Sequence, residues 1–72
     1  MRPKRHYEVI GWYDADKSDE AYHANCISKR EAMRIAKSLR GIYDLLTVDR
    51  VTTNADDPND YIGFEAIAIF IK

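Results

Sequence analysis

Residues 62–72 read I-G-F-E-A-I-A-I-F-I-K, and they decide the fold because they predict a strand that is apolar on both of its faces. Successive side chains of a strand alternate between two faces. The residues predicted on one face are Ile67, Ile69 and Ile71. Those predicted on the other face are Phe64, Ala66, Ala68 and Phe70. One helix covers one face of a small sheet, so a second copy or a partner is expected to meet the other.

Size and composition predict one domain over residues 1–72, near the length at which a single core is just sufficient. Residues 1–5 are basic and are predicted to form a flexible N-terminus. They lack the apolar stretch of a signal peptide, and no apolar run approaches the roughly 18 residues of a membrane span. The only cysteine, Cys26, excludes an internal disulfide and fits a reducing compartment. The expected location is the cytoplasm.

Charge is segregated along the chain, although the formal net charge is only −1 at pH 7. Basic residues concentrate in 1–5 and 29–40, whereas acidic residues concentrate in 8–20 and 44–65. Such blocks predict separate positive and negative surface regions, which guide the choice of partner more than they guide the fold.

Hydrophobic periodicity and turn residues predict the order β-β-α-β-β. Aromatic and β-branched residues indicate strands, and the predicted strands are 6–13, 20–27, 47–53 and 61–71. Strands one and two form a hairpin, and strands three and four form an antiparallel pair across a long turn, 54–60, in which Pro58 breaks the ladder. The predicted fold class is α+β, a small two-layer sandwich with a four-stranded, mainly antiparallel sheet and one helix on one face.

The helix is predicted over residues 29–40. Ser28 and Glu31 have the spacing of a capping box, and Gly41 stands where a left-handed C-cap is expected. The spacing i, i+3, i+4, i+7 predicts one buried stripe on the helix. That stripe consists of Ala32, Ile35, Ala36 and Leu39.

Metal and catalytic chemistry have few candidate residues. Zinc sites require about four ligands, and besides carboxylates this chain offers His6, His23 and Cys26. If 20–27 is a strand, His23 and Cys26 face opposite sides. A cysteine-dependent enzyme would need Cys26 beside a histidine base in a cleft, for which one sheet and one helix leave little room. We predict no metal, no cofactor and no enzymatic activity.

The predicted helix carries a basic face. At 100° per residue, five cations fall within an arc of about 140° on the side away from the apolar stripe. They are Lys29, Arg30, Arg34, Lys37 and Arg40. Such an arc suits phosphates or an acidic protein surface, and the alternative is a merely solvated helix face.

Three aromatic residues, Trp12, Phe64 and Phe70, are candidates for an interface. Trp12 shares its predicted strand face with His6, and Gly11 beside it leaves space for a close approach of backbone or of a ring. If the helix covers that face, Trp12 belongs to the core. If it does not, Trp12 becomes the centre of an interface, where tryptophan is enriched.

The run Y-E-V-I-G-W-Y at 7–13, a polar turn, and C-I-S-K-R-E-A-M-R-I-A-K-S-L at 26–39 together resemble known proteins in architecture. They resemble short orphan β-β-α-β-β proteins encoded by bacteriophages and mobile elements. Members with assigned roles include anti-CRISPR and other anti-defence inhibitors, which block a host machine by binding it. The resemblance carries over no functional residue.

These observations favour a non-enzymatic binding protein. The expected form is a homodimer joined through the sheet face or edge of strand four, inhibiting or modulating a host machine by protein–protein contact. The alternative is a nucleic-acid-binding protein that uses the basic face of helix 29–40.

Overall fold

The computed structural model, which describes residues 3–14 and 16–72 apart from the side chain of Pro58, confirms the predicted α+β, β-β-α-β-β fold. Its elements are β1 (Lys4–Trp12), β2 (Glu20–Cys26), α1 (Lys29–Leu39), β3 (Leu45–Asn54) and β4 (Asp57–Ile71). The strands form one antiparallel sheet in the order β2-β1-β3-β4. The flexibility predicted for residues 1–5 stays a prediction, since Met1 and Arg2 lie outside the described residues.

The helix begins at the predicted residue, and its end lies next to the predicted one. The Ser28 hydroxyl oxygen accepts a hydrogen bond from the Glu31 backbone N–H at 3.1 Å, which satisfies one of the free N–H groups of the first turn. Arg40 is the C-cap, so α1 ends one residue earlier than predicted. Gly41 follows with φ of 89°, a left-handed conformation that glycine adopts without a steric penalty.

The helix packs over β1, β2 and β3 and thereby defines two faces of the sheet. We call the covered side the helix face and the opposite side the helix-free face. Ala32 and Ala36 are fully buried against the helix face, and their small side chains let the helix approach the strands closely. The core cluster of the helix face comprises Val9, Cys26, Ala32, Ala36, Leu46 and Val48.

Gly11 is the point at which β1 makes room for an aromatic ring on the helix face. A Cβ atom added to Gly11 would lie 2.9 Å from a ring carbon of Tyr43, closer than real Cβ contacts. Tyr43 also packs beside Tyr13 and Tyr22, at ring-centroid distances of 5.8 and 6.0 Å. The close ring approach predicted at Gly11 is therefore confirmed, and its partner is Tyr43.

The turn between β3 and β4 is shorter than predicted. Asn54 pairs with Asp57, which leaves two residues at the tip, and the Asn54 side-chain oxygen accepts from the Asp56 backbone N–H at 2.9 Å. This local bond closes the turn early. The prediction of a long turn over 54–60 is therefore wrong. The predicted break in the ladder around Pro58 is present, because residues 58–60 have no partner in β3.

A β-bulge in β4 changes which side chains share a face. Val48 pairs with Ala68 and Asp49 pairs with Ala66, so Ile67 is the extra residue. Strict alternation fails at this point. Side chains that precede Ile67 therefore lie on the face opposite to the one that alternation from Ile71 predicts. Phe64, the partner of Val51, consequently lies on the helix-free face with Ile69 and Ile71. The prediction that Phe64 shares a face with Phe70 is wrong.

We expect Gly11→Ala to lower the free energy of unfolding by about 1–3 kcal/mol, because the added methyl group overlaps the Tyr43 ring. Denaturant unfolding of the single variants, together with Gly11→Ala in a Tyr43→Leu background, measures this directly. Leucine at position 43 has no ring, so Gly11→Ala should lower the free energy of unfolding less in that background. Equal losses in both backgrounds would contradict the assigned contact.

Candidate functional site: the helix-free face and the basic helix

The helix-free face has a buried carboxylate at its centre. Glu8 in β1 is only 2 % exposed, and three side chains from three strands donate hydrogen bonds to it. His6 Nε2 lies 2.8 Å and the Tyr61 hydroxyl 2.9 Å from Oε2, whereas His23 Nε2 lies 2.6 Å from Oε1. We call these four residues the Glu8 cluster. It joins β1, β2 and β4, and Tyr61 reaches across β3 to complete it.

His23 lies between two carboxylates. Its Nε2 faces Glu8, and its Nδ1 lies 3.1 Å from Oε1 of Glu20. A neutral imidazole has a hydrogen on only one nitrogen, whereas the imidazolium form donates from both. Both ring nitrogens of His23 thus face a carboxylate oxygen, one from Glu8 and one from Glu20.

The hydrogen bonds also determine the ionisation of Glu8. Burial by itself raises the pKa of a carboxyl group, but the bonds from His6, Tyr61 and His23 together outweigh that effect. The pKa of Glu8 is therefore below its usual value. Donation to the same carboxylate raises the pKa of Tyr61. With three donors in place, the carboxylate is held as a structural anion.

A second buried carboxylate lies directly across the ladder from Glu8. Asp49 in β3 pairs with Glu8, is 4 % exposed, and accepts a hydrogen bond from the Thr47 hydroxyl at 3.2 Å. Burial raises the pKa of Asp49, and the neighbouring charge of Glu8 raises it further. Folding therefore favours the neutral form of Asp49.

The residues considered for metal and thiol chemistry are held apart. Cys26 lies in the core of the helix face, where burial raises the pKa of its thiol, whereas His6 and His23 lie on the helix-free face. Among the described residues, no group of three or more His, Cys, Asp or Glu side chains is arranged to hold a metal ion. The structure thus brings Cys26 and the two histidines into no common site.

The predicted interface aromatics occupy three different environments. Trp12 lies on the helix-free face but is only 9 % exposed, since it packs with Ile10 and Leu45 and the Lys17 ammonium lies 5.3 Å from its ring centroid. Phe64 is 58 % exposed on the same face. Phe70 is half-buried on the helix face, under Arg40. Of the three, only Phe64 presents a large exposed apolar surface.

The exposed apolar surface is concentrated on β4, the outer strand of the sheet. We call its exposed aromatic and isoleucine side chains on the helix-free face the β4 strip. They are Tyr61, Phe64, Ile69 and Ile71, with exposures of 51, 58, 57 and 73 %. Helix α1 packs over the other three strands, so β4 projects beyond the layer that covers them.

The five cations predicted on the helix lie together on its outer surface. Lys29, Arg30, Arg34, Lys37 and Arg40 are all exposed. Within the described part of the chain, none of them forms an ion pair. Arg40 differs from the others because its guanidinium lies 5.7 Å from the ring centroid of Phe70. The predicted basic face is present as a surface.

The Glu8 cluster had only a partial signal in the sequence. His6 and Glu8 alternate with apolar residues, so one polar pair on that strand face was visible. The contribution of His23 depends on its register opposite Ile10, and that of Tyr61 depends on strand order. Neither property can be obtained from local pattern alone.

We expect Glu8→Gln to lower the free energy of unfolding by at least about 2 kcal/mol at pH 7, since hydrogen bonds to a charged group contribute about 1.5–3 kcal/mol each. The pKa of Glu8 is lowered by folding, so its contribution is present above the unfolded pKa and is lost as pH falls through the folded pKa. Denaturant titrations from pH 7 to pH 3 should show the difference between wild type and variant shrinking. A constant difference over that range would contradict an ionised Glu8.

Asp49→Asn should raise the midpoint of denaturation at pH 7. The pKa of Asp49 is raised by folding, so ionisation destabilises the native state as pH rises through the folded pKa. Asparagine keeps an acceptor for the Thr47 hydroxyl without the charge. The gain should disappear at pH values at which Asp49 is protonated in wild type, and a loss of stability at pH 7 would overturn this assignment.

Comparisons with known proteins assign no function to this chain, so the proposal below is based on the geometry of the helix-free face and of α1. No helix in the described part of the chain has the length and apolar character needed to cross a membrane. Searches against protein-family models, curated proteins and solved structures found no match to this chain.

Proposed function

We propose that this chain is a non-enzymatic binding protein that forms a homodimer by antiparallel pairing of β4 with β4 of a second copy. The observation that carries the proposal is the position of β4 at the edge of the sheet, with 15 residues and the most exposed apolar surface of the described fold. An edge strand presents a row of unpaired backbone N–H and C=O groups. Pairing with a second copy satisfies those groups and continues the sheet.

The composition of β4 favours a second copy as its partner. Residues 66–71 read A-I-A-I-F-I and contain no charge, proline or glycine. Natural edge strands often carry charges or proline, which prevent association, and six-residue apolar segments without them pair readily. A two-fold interface places the same segment opposite itself, which an uncharged apolar strand tolerates. The acidic residues of β4 (Asp57, Asp60 and Glu65) all precede this segment.

Antiparallel pairing of two identical edge strands fixes the geometry of the dimer. The two-fold axis then runs perpendicular to the sheet, so the two copies keep the same faces on the same sides. The two helices lie on one side of an eight-stranded sheet, and the two β4 strips adjoin on the other. The joined strips form a larger apolar surface, of the kind that marks protein-binding sites.

The proposed activity is occupation of a protein partner through the joined β4 strips. Phe64 supplies the exposed aromatic anchor that such interfaces favour. Inhibition or modulation of a host machine, which the resemblance to phage-encoded proteins implies, remains part of this proposal.

A second candidate function is nucleic-acid binding through α1. The observation that favours it is the group of five exposed cations on the outer surface of α1, none of which has an acidic partner among the described residues. Phosphate contacts by lysine and arginine release counterions, so binding would weaken steeply with salt.

We expect Ile69→Lys to weaken the dimer at least tenfold, because like charges brought together across paired strands repel each other. Ile69 is 57 % exposed, so the monomer should fold normally. Sedimentation equilibrium over a range of protein concentrations measures the dissociation constant, and circular dichroism checks the fold.

The matched control is Ile42→Lys. Ile42 is 58 % exposed and lies in the turn after α1, so the same substitution there should leave the dimer intact. A wild-type protein that stays monomeric at every concentration would contradict the proposed dimer. Equal weakening by both substitutions would show that β4 is not the interface.

A further inference from the structure

We infer that the β4-linked dimer binds the phosphate backbones of double-stranded nucleic acid, using one α1 helix from each copy. The inference rests on the proposed dimer and assigns a partner class to its helix-bearing side. It is carried by the composition of the outer surface of α1, by the spacing of the two helices, and by the charges next to them.

The outer surface of α1 has the composition of a phosphate-binding surface. Its exposed residues are Lys29, Arg30, Arg34, Lys37 and Ser38. Protein-binding surfaces are anchored by exposed aromatic or large aliphatic side chains, whereas phosphate contacts come from lysine, arginine and hydroxyl groups. The exposed part of this helix offers the second set and lacks the first.

The same composition favours a duplex over a single strand. Proteins that hold single strands stack bases on aromatic side chains along a basic groove. The residues of α1 include no aromatic side chain, and the ring of Phe70, which lies beside Arg40, is half-buried. A surface of cations without a stacking platform fits the regular backbones of a duplex.

The dimer would place two rows of cations at a fixed separation. Residues 29–40 span about 16 Å along the helix axis. The helix lies over β1 and its neighbours, and in the dimer β1 and its copy are five strand spacings apart, about 24 Å at about 4.8 Å each. The rows run antiparallel about the two-fold axis, as the two strands of a duplex do, so each row can follow one backbone.

The surface between the two helices carries little opposing charge. Glu65 of β4 lies on this side, and its carboxylate accepts a hydrogen bond from Arg50 at 2.6 Å, whereas Asp57 lies at the far end of the strand, paired with Asn54. Ala68 and Phe70, also on this side, are uncharged. A duplex centred on the two-fold axis therefore meets a nearly uncharged surface between the two rows of cations.

The test uses a fluorescein-labelled 24-base-pair DNA duplex of arbitrary sequence, the corresponding single strand, and the 72-residue chain. Fluorescence anisotropy between 50 and 200 mM salt should show duplex affinity falling about 1,000-fold or more, as expected for six or more phosphate contacts, with a logarithmic slope of about −0.9 per contact. The single strand should bind at least tenfold more weakly than the duplex. Equal affinity for both would overturn the inference.

Charge reversal identifies the surface. Arg30→Glu/Arg34→Glu should weaken duplex binding at least 100-fold at 50 mM salt. The matched control, Lys4→Glu/Lys17→Glu, changes the net charge equally at residues that lie away from α1, and it should weaken binding less than fivefold. Similar losses in both variants would show a general charge effect and would overturn the assignment to α1.

The monomer variant separates this inference from the proposed dimer. Ile69→Lys should reduce duplex affinity and roughly halve the salt slope, because one helix then contacts the duplex instead of two. A dimer with no duplex affinity would overturn the inference and leave the proposed dimer standing. If the wild-type protein is a monomer and still binds the duplex with the salt slope expected for six or more contacts, both the dimer and the two-helix geometry are overturned.

Discussion

The burial of one negative charge, the Glu8 carboxylate, constrains the helix-free face more than any other interaction in the structure. A carboxylate that is only 2 % exposed destabilises a fold unless hydrogen bonds replace its water shell. Here the replacement comes from β1, β2 and β4 at once. The charge therefore ties the two outer strands, β2 and β4, to a central strand, a role that a small domain more often gives to apolar side chains.

The two faces of the sheet reach burial by different means. On the helix face, small residues bring two layers together, as Ala32 and Ala36 do against the sheet and Gly11 does against the Tyr43 ring. On the helix-free face, long side chains lie over their neighbours, so that Val51 and Thr47 are buried without a second layer of backbone. Both means bury the middle of the sheet, where Glu8 to Trp12 of β1 and Leu45 to Asp49 of β3 are buried. The outer strand β4 lies at the margin of both.

Local pattern was sufficient for the helix and the order of elements. Ser28, Glu31 and Gly41 specify the ends of α1 through bonds and conformations that involve neighbouring residues only. The Glu8 cluster required knowledge that no local pattern contains. His23 meets Glu8 because of strand register, and Tyr61 meets it because β4 lies beyond β3.

The faces of β4 show a second limit of prediction from local pattern. Alternation correctly groups Ile69 with Ile71, but a single extra residue, Ile67, transfers Phe64 to their side. A bulge places two residues of one strand opposite one residue of its partner, so it depends on how the two strands pair and not on the sequence of one strand alone. The β4 strip is therefore a property of the β3–β4 pair and not of β4 alone.

Strand order determines whether the apolar segment 66–71 is buried or exposed. In a central strand, covered on both faces and paired on both edges, A-I-A-I-F-I would be an ordinary core sequence. At the edge of this sheet, the same residues leave backbone groups and isoleucine side chains to the solvent. The chain places its acidic residues in the first part of β4 and none in this segment. Charges in one half of an edge strand and none in the other are expected if the uncharged half is covered when the protein acts.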